Sequence, residues 1–195
     1  MQQQEFSPQE SLQLIQSMIN KAQNRFYENG HLYLLWGWVI VVCSIASFVS
    51  IYFFQNQKNL SYIWMLTLPT TVYQMIYLAR VKKNKTVKTY ADEINGYVWL
   101  VFVCMGFLVG IIIGKSGHVA LFNPLILMLY GMPTFLSGVI LKFKPLRIGA
   151  ICCWVLSLLS VFVPIEFSYL LLTMAVISAW LVPGYLLRIR FKNQN

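Results

Sequence analysis

Thr67, Thr71 and Gln74 fall at i, i+4 and i+7 in an otherwise apolar stretch, so a helix there carries them as one polar row. Similar rows recur as Cys43, Ser47 and Ser50, and as Cys153, Ser157 and Ser160. Hydroxyl and amide groups in such rows can bind a small solute, bond across to a neighbouring helix, or bond back to their own carbonyls. Pro69, Pro133 and Pro183 stand in comparable stretches, and each lacks the N–H that would satisfy a carbonyl one turn earlier. Freed carbonyls deep in a membrane helix are what a broken-helix transporter offers its substrate, and the same proline elsewhere only lets helices pack at an angle. The chemistry on offer is ligand binding by uncharged polar groups. Thr67, Thr71 and Gln74, with the carbonyls freed by Pro69, Pro133 and Pro183, form the candidate ligand site.

Acid–base and metal chemistry lack their residues. The six carboxylates (Glu5, Glu10, Glu28, Asp92, Glu93 and Glu166) lie in termini or connections. No apolar run therefore holds an acid for a proton relay or a catalytic aspartyl pair. The HExxH, GxSxG and P-loop patterns do not occur. His31 and His118 fall at opposite span boundaries and cannot share a metal. Cys43, Cys104, Cys152 and Cys153 sit within apolar runs and read as small apolar fillers. No cofactor, no metal site and no enzymatic activity are expected.

The elements that must position these residues are long apolar runs, at about 31–54, 60–80, 97–114, 122–141, 146–163 and 167–187. Each is near the ~20 residues that cross a hydrocarbon core of about 30 Å. With 58% hydrophobic and 11% charged residues, the chain lacks the charge to cover a soluble core of its size. The expectation is an all-α integral membrane protein with six transmembrane helices arranged as three hairpins. Of the fifteen Lys and Arg residues, all but Lys58 and Lys115 fall on one side of these runs. The cation-rich side should be cytoplasmic, which places both termini inside. The net charge of +9 is then a topology signal that also favours anionic headgroups, and no nucleic-acid partner is expected.

Residues 1–30 form a cytoplasmic arm ahead of the 31–190 membrane domain, and 191–195 a short tail. Ser7-Pro8-Gln9-Glu10 reads as a helix start, with Ser as cap, Pro in the first turn and Glu three residues on. Leu12, Ile15, Ile19 and Phe26 then recur at helical spacing, which predicts an amphipathic helix over about 8–28. Its place is the membrane interface or a partner protein. With Lys82, Lys83 and Lys85 for an anionic partner, this face is the candidate contact surface. The polar opening MQQQEFSPQE and a first apolar run longer than a signal core predict that this run stays in the mature protein.

Gly106, Gly110 and Gly114 make a doubled small-xxx-small row, which permits close helix packing within the chain or with a second copy in a homodimer. Trp36, Trp64 and Trp99, with Tyr33, Tyr62 and Tyr97, lie near span ends as interfacial anchors. Asn29-Gly30 and Asn95-Gly96 each lead into a span, and Leu68-Pro69-Thr70 matches Met132-Pro133-Thr134. That pattern reads as a parallel repeat of hairpins, or as chance within a restricted membrane alphabet.

The stretch ESLQLIQSMIN (Glu10 to Asn20), followed by Gly30 and by Leu34-Leu35-Trp36-Gly37-Trp38, resembles uncharacterised small membrane proteins common in the Bacteroidota. The resemblance covers about the first 40 residues and elsewhere extends to span number and proline placement. It implies a bacterial inner membrane and a role beside a regulator or transporter, and it assigns no functional residue. The expected function is a non-catalytic regulatory, scaffold or accessory subunit that binds protein partners or lipid. The alternative is a small-solute permease or channel-like carrier built on the polar rows.

Overall fold

The computed structural model describes residues 30–54, 60–84 and 90–192. The amphipathic stretch at 8–28, with Leu12, Ile15, Ile19 and Phe26, lies outside the described residues, as does Lys85. Among the described residues every regular element is helical: α1 His31–Tyr52, α2 Leu60–Trp64, α3 Thr67–Asn84, α4 Tyr90–Ser116, α5 Phe122–Ile140, α6 Lys144–Val161, α7 Ile165–Val176 and α8 Val182–Lys192. A 3-10 turn, Val119–Leu121, leads into α5, and a π turn, Ile177–Leu181, joins α7 to α8.

Five helical runs are long and apolar enough to cross a membrane: His31–Tyr52, Glu93–Ser116, Val119–Ile140, Lys144–Val161 and Ile165–Arg190. This is the organisation of a multi-pass membrane protein. The run expected at 60–80 takes another form. Pro69 has no N–H to give the carbonyl of Met65, so an α-helix cannot continue across that point. The chain leaves α2 at Trp64, turns through Met65 and Leu66 with short-range bonds (Met65 N–H to Tyr62 O, 3.2 Å; Leu68 N–H to Met65 O, 3.0 Å) and restarts as α3. Pro69 then sits in the first turn of α3, where no N–H is required.

The other two prolines occupy different settings. Pro133 lies inside the unbroken α5, and Pro183 opens α8 directly after the π turn. The Asn-Gly pairs differ as well. Gly30 takes the left-handed conformation (φ 56°) at the start of α1, whereas Asn95 and Gly96 lie within α4. The motifs that match in sequence therefore adopt unlike local structures.

The bundle centre is formed by α1, α5, α6 and the α7–π–α8 run, around Leu127, Cys153, Leu172, Val176 and Trp180. A smaller apolar cluster of Phe143, Leu146 and Leu187 closes the basic end, with Tyr33 packed against it. α3 lies against α1, and α4 runs along α5. Only 6% of the Glu93–Ser116 span is buried, which makes it the most peripheral of the five. Its outward side chains, such as Leu100, Val103, Phe107 and Ile112, are large and apolar. On a soluble protein so large an apolar surface would be a liability, and against lipid it costs nothing.

Close backbone approach occurs, but away from the row picked out by spacing. A Cβ placed on Gly106, Gly110 or Gly114 would meet nothing within 4 Å among the described residues. Glycines at other positions are the crowded ones. A Cβ on Gly149 would stand 2.6 Å from both the Ala179 Cα and the Ser178 carbonyl oxygen, and one on Gly30 would stand 2.6 Å from the Gly184 carbonyl oxygen. Gly131 lies under the Trp154 indole and Gly138 against Arg147. The expected packing of Gly106, Gly110 and Gly114 within the chain is thus not formed, because α4 touches its neighbours along another face.

Candidate functional site

The row in α3 is satisfied locally. The Thr67 hydroxyl donates to the Trp64 carbonyl at 2.7 Å and the Thr71 hydroxyl to the Thr67 carbonyl at 2.8 Å. Both are short back-bonds of the kind serine and threonine form in helices. The Gln74 amide oxygen accepts the Trp36 indole N–H from α1. Nearby, His31 Nε2 and the Tyr73 hydroxyl are 3.1 Å apart, and the His31 ring rests 5.1 Å from that of Tyr77. Polar and aromatic contacts therefore fasten α3 to α1. Gln74→Leu is expected to cost about 1 kcal/mol by orphaning the indole, measured as unfolding in detergent.

The other two rows behave alike. In α1, the Ser47 hydroxyl donates to the Cys43 carbonyl at 2.7 Å and accepts the Trp64 indole N–H at 3.1 Å. This fixes the short α2 to the bundle. In α6, the Cys153 thiol points to the Ala175 carbonyl at 3.8 Å, and the Ser157 hydroxyl donates to the Pro124 carbonyl at 2.7 Å. Ser160 and Ser44 are buried hydroxyls with no hydrogen-bond partner.

The most connected polar group lies toward the basic end and was not singled out by spacing. The Trp180 indole, presented by the π turn, donates to the Thr134 hydroxyl at 3.0 Å, and Thr134 donates in turn to the Tyr130 carbonyl at 2.7 Å. One turn on, the Ser137 hydroxyl donates to the Asn95 amide oxygen at 2.7 Å, joining α5 to α4. The rings of Tyr33 and Trp99, Trp99 and Trp180, and Tyr130 and Trp180 stand 6.0, 6.0 and 4.8 Å apart. Such edge and tilted contacts add to area burial. Four helical runs meet in this knot. Its sequence signal was Trp180, which lies well inside the last apolar run where an interfacial anchor would not be placed.

Pro133 borders a cavity of about 330 Å³ between α4 and α5. Val98, Val101 and Phe102 form one wall, with Leu129, Met132 and Pro133 opposite. Thr67, Thr71, Gln74, Pro69 and Pro183 are not in its lining. Of the proposed ligand residues the structure brings Pro133 alone to this space, and Pro69 is exposed whereas Pro183 is buried. The basic end exposes Lys83, Lys142, Lys144, Arg188 and Arg190, with Arg147 half-buried against Gly138. Lys82 belongs to the last turn of α3. At the opposite end the Asn123 amide donates to the Ser168 hydroxyl at 2.6 Å. Comparison with family models, with curated proteins and with solved structures gives no match.

Proposed function

We propose that the protein is a non-catalytic module of a bacterial inner membrane that acts by binding protein partners or lipid. In this reading the run 60–80 is a sixth, broken span, and both termini are cytoplasmic. The amphipathic arm, through Leu12, Ile15, Ile19 and Phe26, joins Lys82, Lys83 and Lys85 as the contact surface. One observation supports it above the rest: the side chains that could have formed a solute site, Thr67, Thr71 and Gln74, are bonded to their own helix or to α1. A carrier needs such groups turned toward a shared cavity. The surfaces that remain are the basic end and the lipid-facing perimeter.

The test is removal of residues 1–28 from the full chain, followed by cross-linking in cells and recovery from solubilised membranes. Loss of co-recovered proteins, with the membrane domain still inserted, is the expected result. Unchanged recovery and unchanged membrane localisation would refute the reading.

A further inference from the structure

The cavity beside Pro133 opens sideways: Val101, Met105, Met132 and Leu136, all in its lining, are exposed. Tyr97 carries the only polar group among its lining side chains. Ordered water needs about two to four polar partners, so this space is not a water site. Inside a bilayer what enters from the side is a lipid chain or another helix. A helix is about 10–12 Å across with its side chains, and it approaches closely only over small residues. The groove walls are valine, phenylalanine, methionine and leucine, and the glycines of α4 begin only beyond Met105. A flexible acyl chain is the narrower and better-fitting occupant.

The groove also has a charged mouth. The α5 row of Leu129, Met132 and Leu136 runs toward the basic end, and Lys142 follows Leu136 by six residues, about 9 Å along a helix axis. The headgroup layer occupies roughly the 5–8 Å beyond the hydrocarbon, so the exposed Lys142 and Lys144 stand at its level. Lys142 takes a left-handed backbone (φ 50°) in the tight connection between α5 and α6. The acid at this mouth is Glu93, which accepts the Tyr97 hydroxyl at 3.4 Å. Arg80, Arg147, Arg188 and Arg190 keep the end as a whole positive.

We propose that the groove between α4 and α5 is a lipid site, holding one acyl chain of an anionic phospholipid whose phosphate is bound by Lys142 and Lys144. It rests on the reading of the protein as a membrane module and names the lipid part of that function.

The experiment uses the full chain in phosphatidylcholine vesicles containing a small fraction of phosphatidylglycerol with a photoreactive acyl chain. Label is mapped by peptide mass spectrometry. Labelling concentrated on residues 94–105 and 129–136 is expected, with much less when phosphatidylcholine carries the same photoreactive chain. Val101→Trp and, separately, Met132→Trp should abolish this concentration by filling the groove. Lys142→Gln and Lys144→Gln should each weaken it about fivefold, the effect of about 1 kcal/mol per cation. Label spread evenly over all lipid-facing helices would overturn the proposal, as would labelling unchanged by both tryptophan variants. Disulfide-linked dimers through Met132→Cys would overturn it in favour of a second copy. If the tryptophan variants do not fold, the wild-type map and the lysine variants still decide. Val101→Trp should leave protein recovery through the 1–28 arm intact, so the lipid site can fail while the partner-binding reading stands, and the reverse.

Discussion

Trp180→Ala is expected to destabilise the folded bundle by about 3 kcal/mol, the low end of the range for deleting a core tryptophan in soluble proteins. The low end applies because a membrane helix released from its bundle meets lipid, so little transfer energy is at stake. What is lost is dispersion contact with Tyr130 and Trp99, whose rings lie 4.8 and 6.0 Å away, and the bond to Thr134 at 3.0 Å. Trp180→Phe separates the two parts: it keeps most of the ring contact and should cost only about 1 kcal/mol. Thr134→Val removes the acceptor and the back-bond to Tyr130 and should fall between them. The measurement is reversible unfolding in mixed micelles. Equal effects from Trp180→Ala and Trp180→Phe would mean that ring packing contributes nothing, and the account of the knot would be wrong.

The second large effect is expected at Gly149. Its neighbours across the helix interface are backbone atoms of the π turn, the Ala179 Cα and the Ser178 carbonyl oxygen, each 2.6 Å from where a Cβ would be. Backbone cannot rotate away as a side-chain tip can, so α6 and the last span must separate. Gly149→Ala should cost about 1–3 kcal/mol as overpacking, and Gly149→Leu should abolish recovery of folded protein. Gly106→Ala and Gly110→Ala are the matched controls. With nothing within 4 Å, they should be neutral or gain up to about 1 kcal/mol from helix propensity. Thermal unfolding and gel-filtration yield across the four variants make the comparison. Gly149→Ala no worse than Gly106→Ala would show that α6 does not approach the π turn so closely.

That contrast marks where the sequence was informative. Helical class and the long apolar runs follow from composition and length, because a bilayer admits few backbone solutions. The break before Pro69 was also implicit, since a missing N–H at a known position must interrupt the ladder. Which glycine is crowded was not legible. Gly106, Gly110 and Gly114 share one helix face, but facing a neighbour depends on how α4 is placed, and it meets α5 along Val98, Val101 and Phe102 instead. Gly149 has no glycine at the right spacing to announce it, and its partner is a turn that spacing cannot foresee. The polar rows were legible as rows, yet their use was not. A threonine reaching back to its own carbonyl and one reaching into a cavity have the same periodicity. Asn95, Thr134, Ser137 and Trp180 come from three apolar runs, and only the packing brings them to one place.

The π turn has a consequence for how the chain's length can change. Val182 N–H bonds to the Ile177 carbonyl, five residues back, where an α-helix would use four. The segment thus holds one residue more than its rise requires, in the manner of an insertion absorbed without a loop. Removing one residue between Ile177 and Leu181 would restore the ordinary ladder while turning everything beyond it by about 100°. Leu187 would swing off Phe143 and Leu146, and Gly184 off Leu34. Conversely, with the extra residue kept, both ends of the last span can hold their separate alignments. The two halves of that span are free to diverge in sequence independently, each answering to its own set of neighbours.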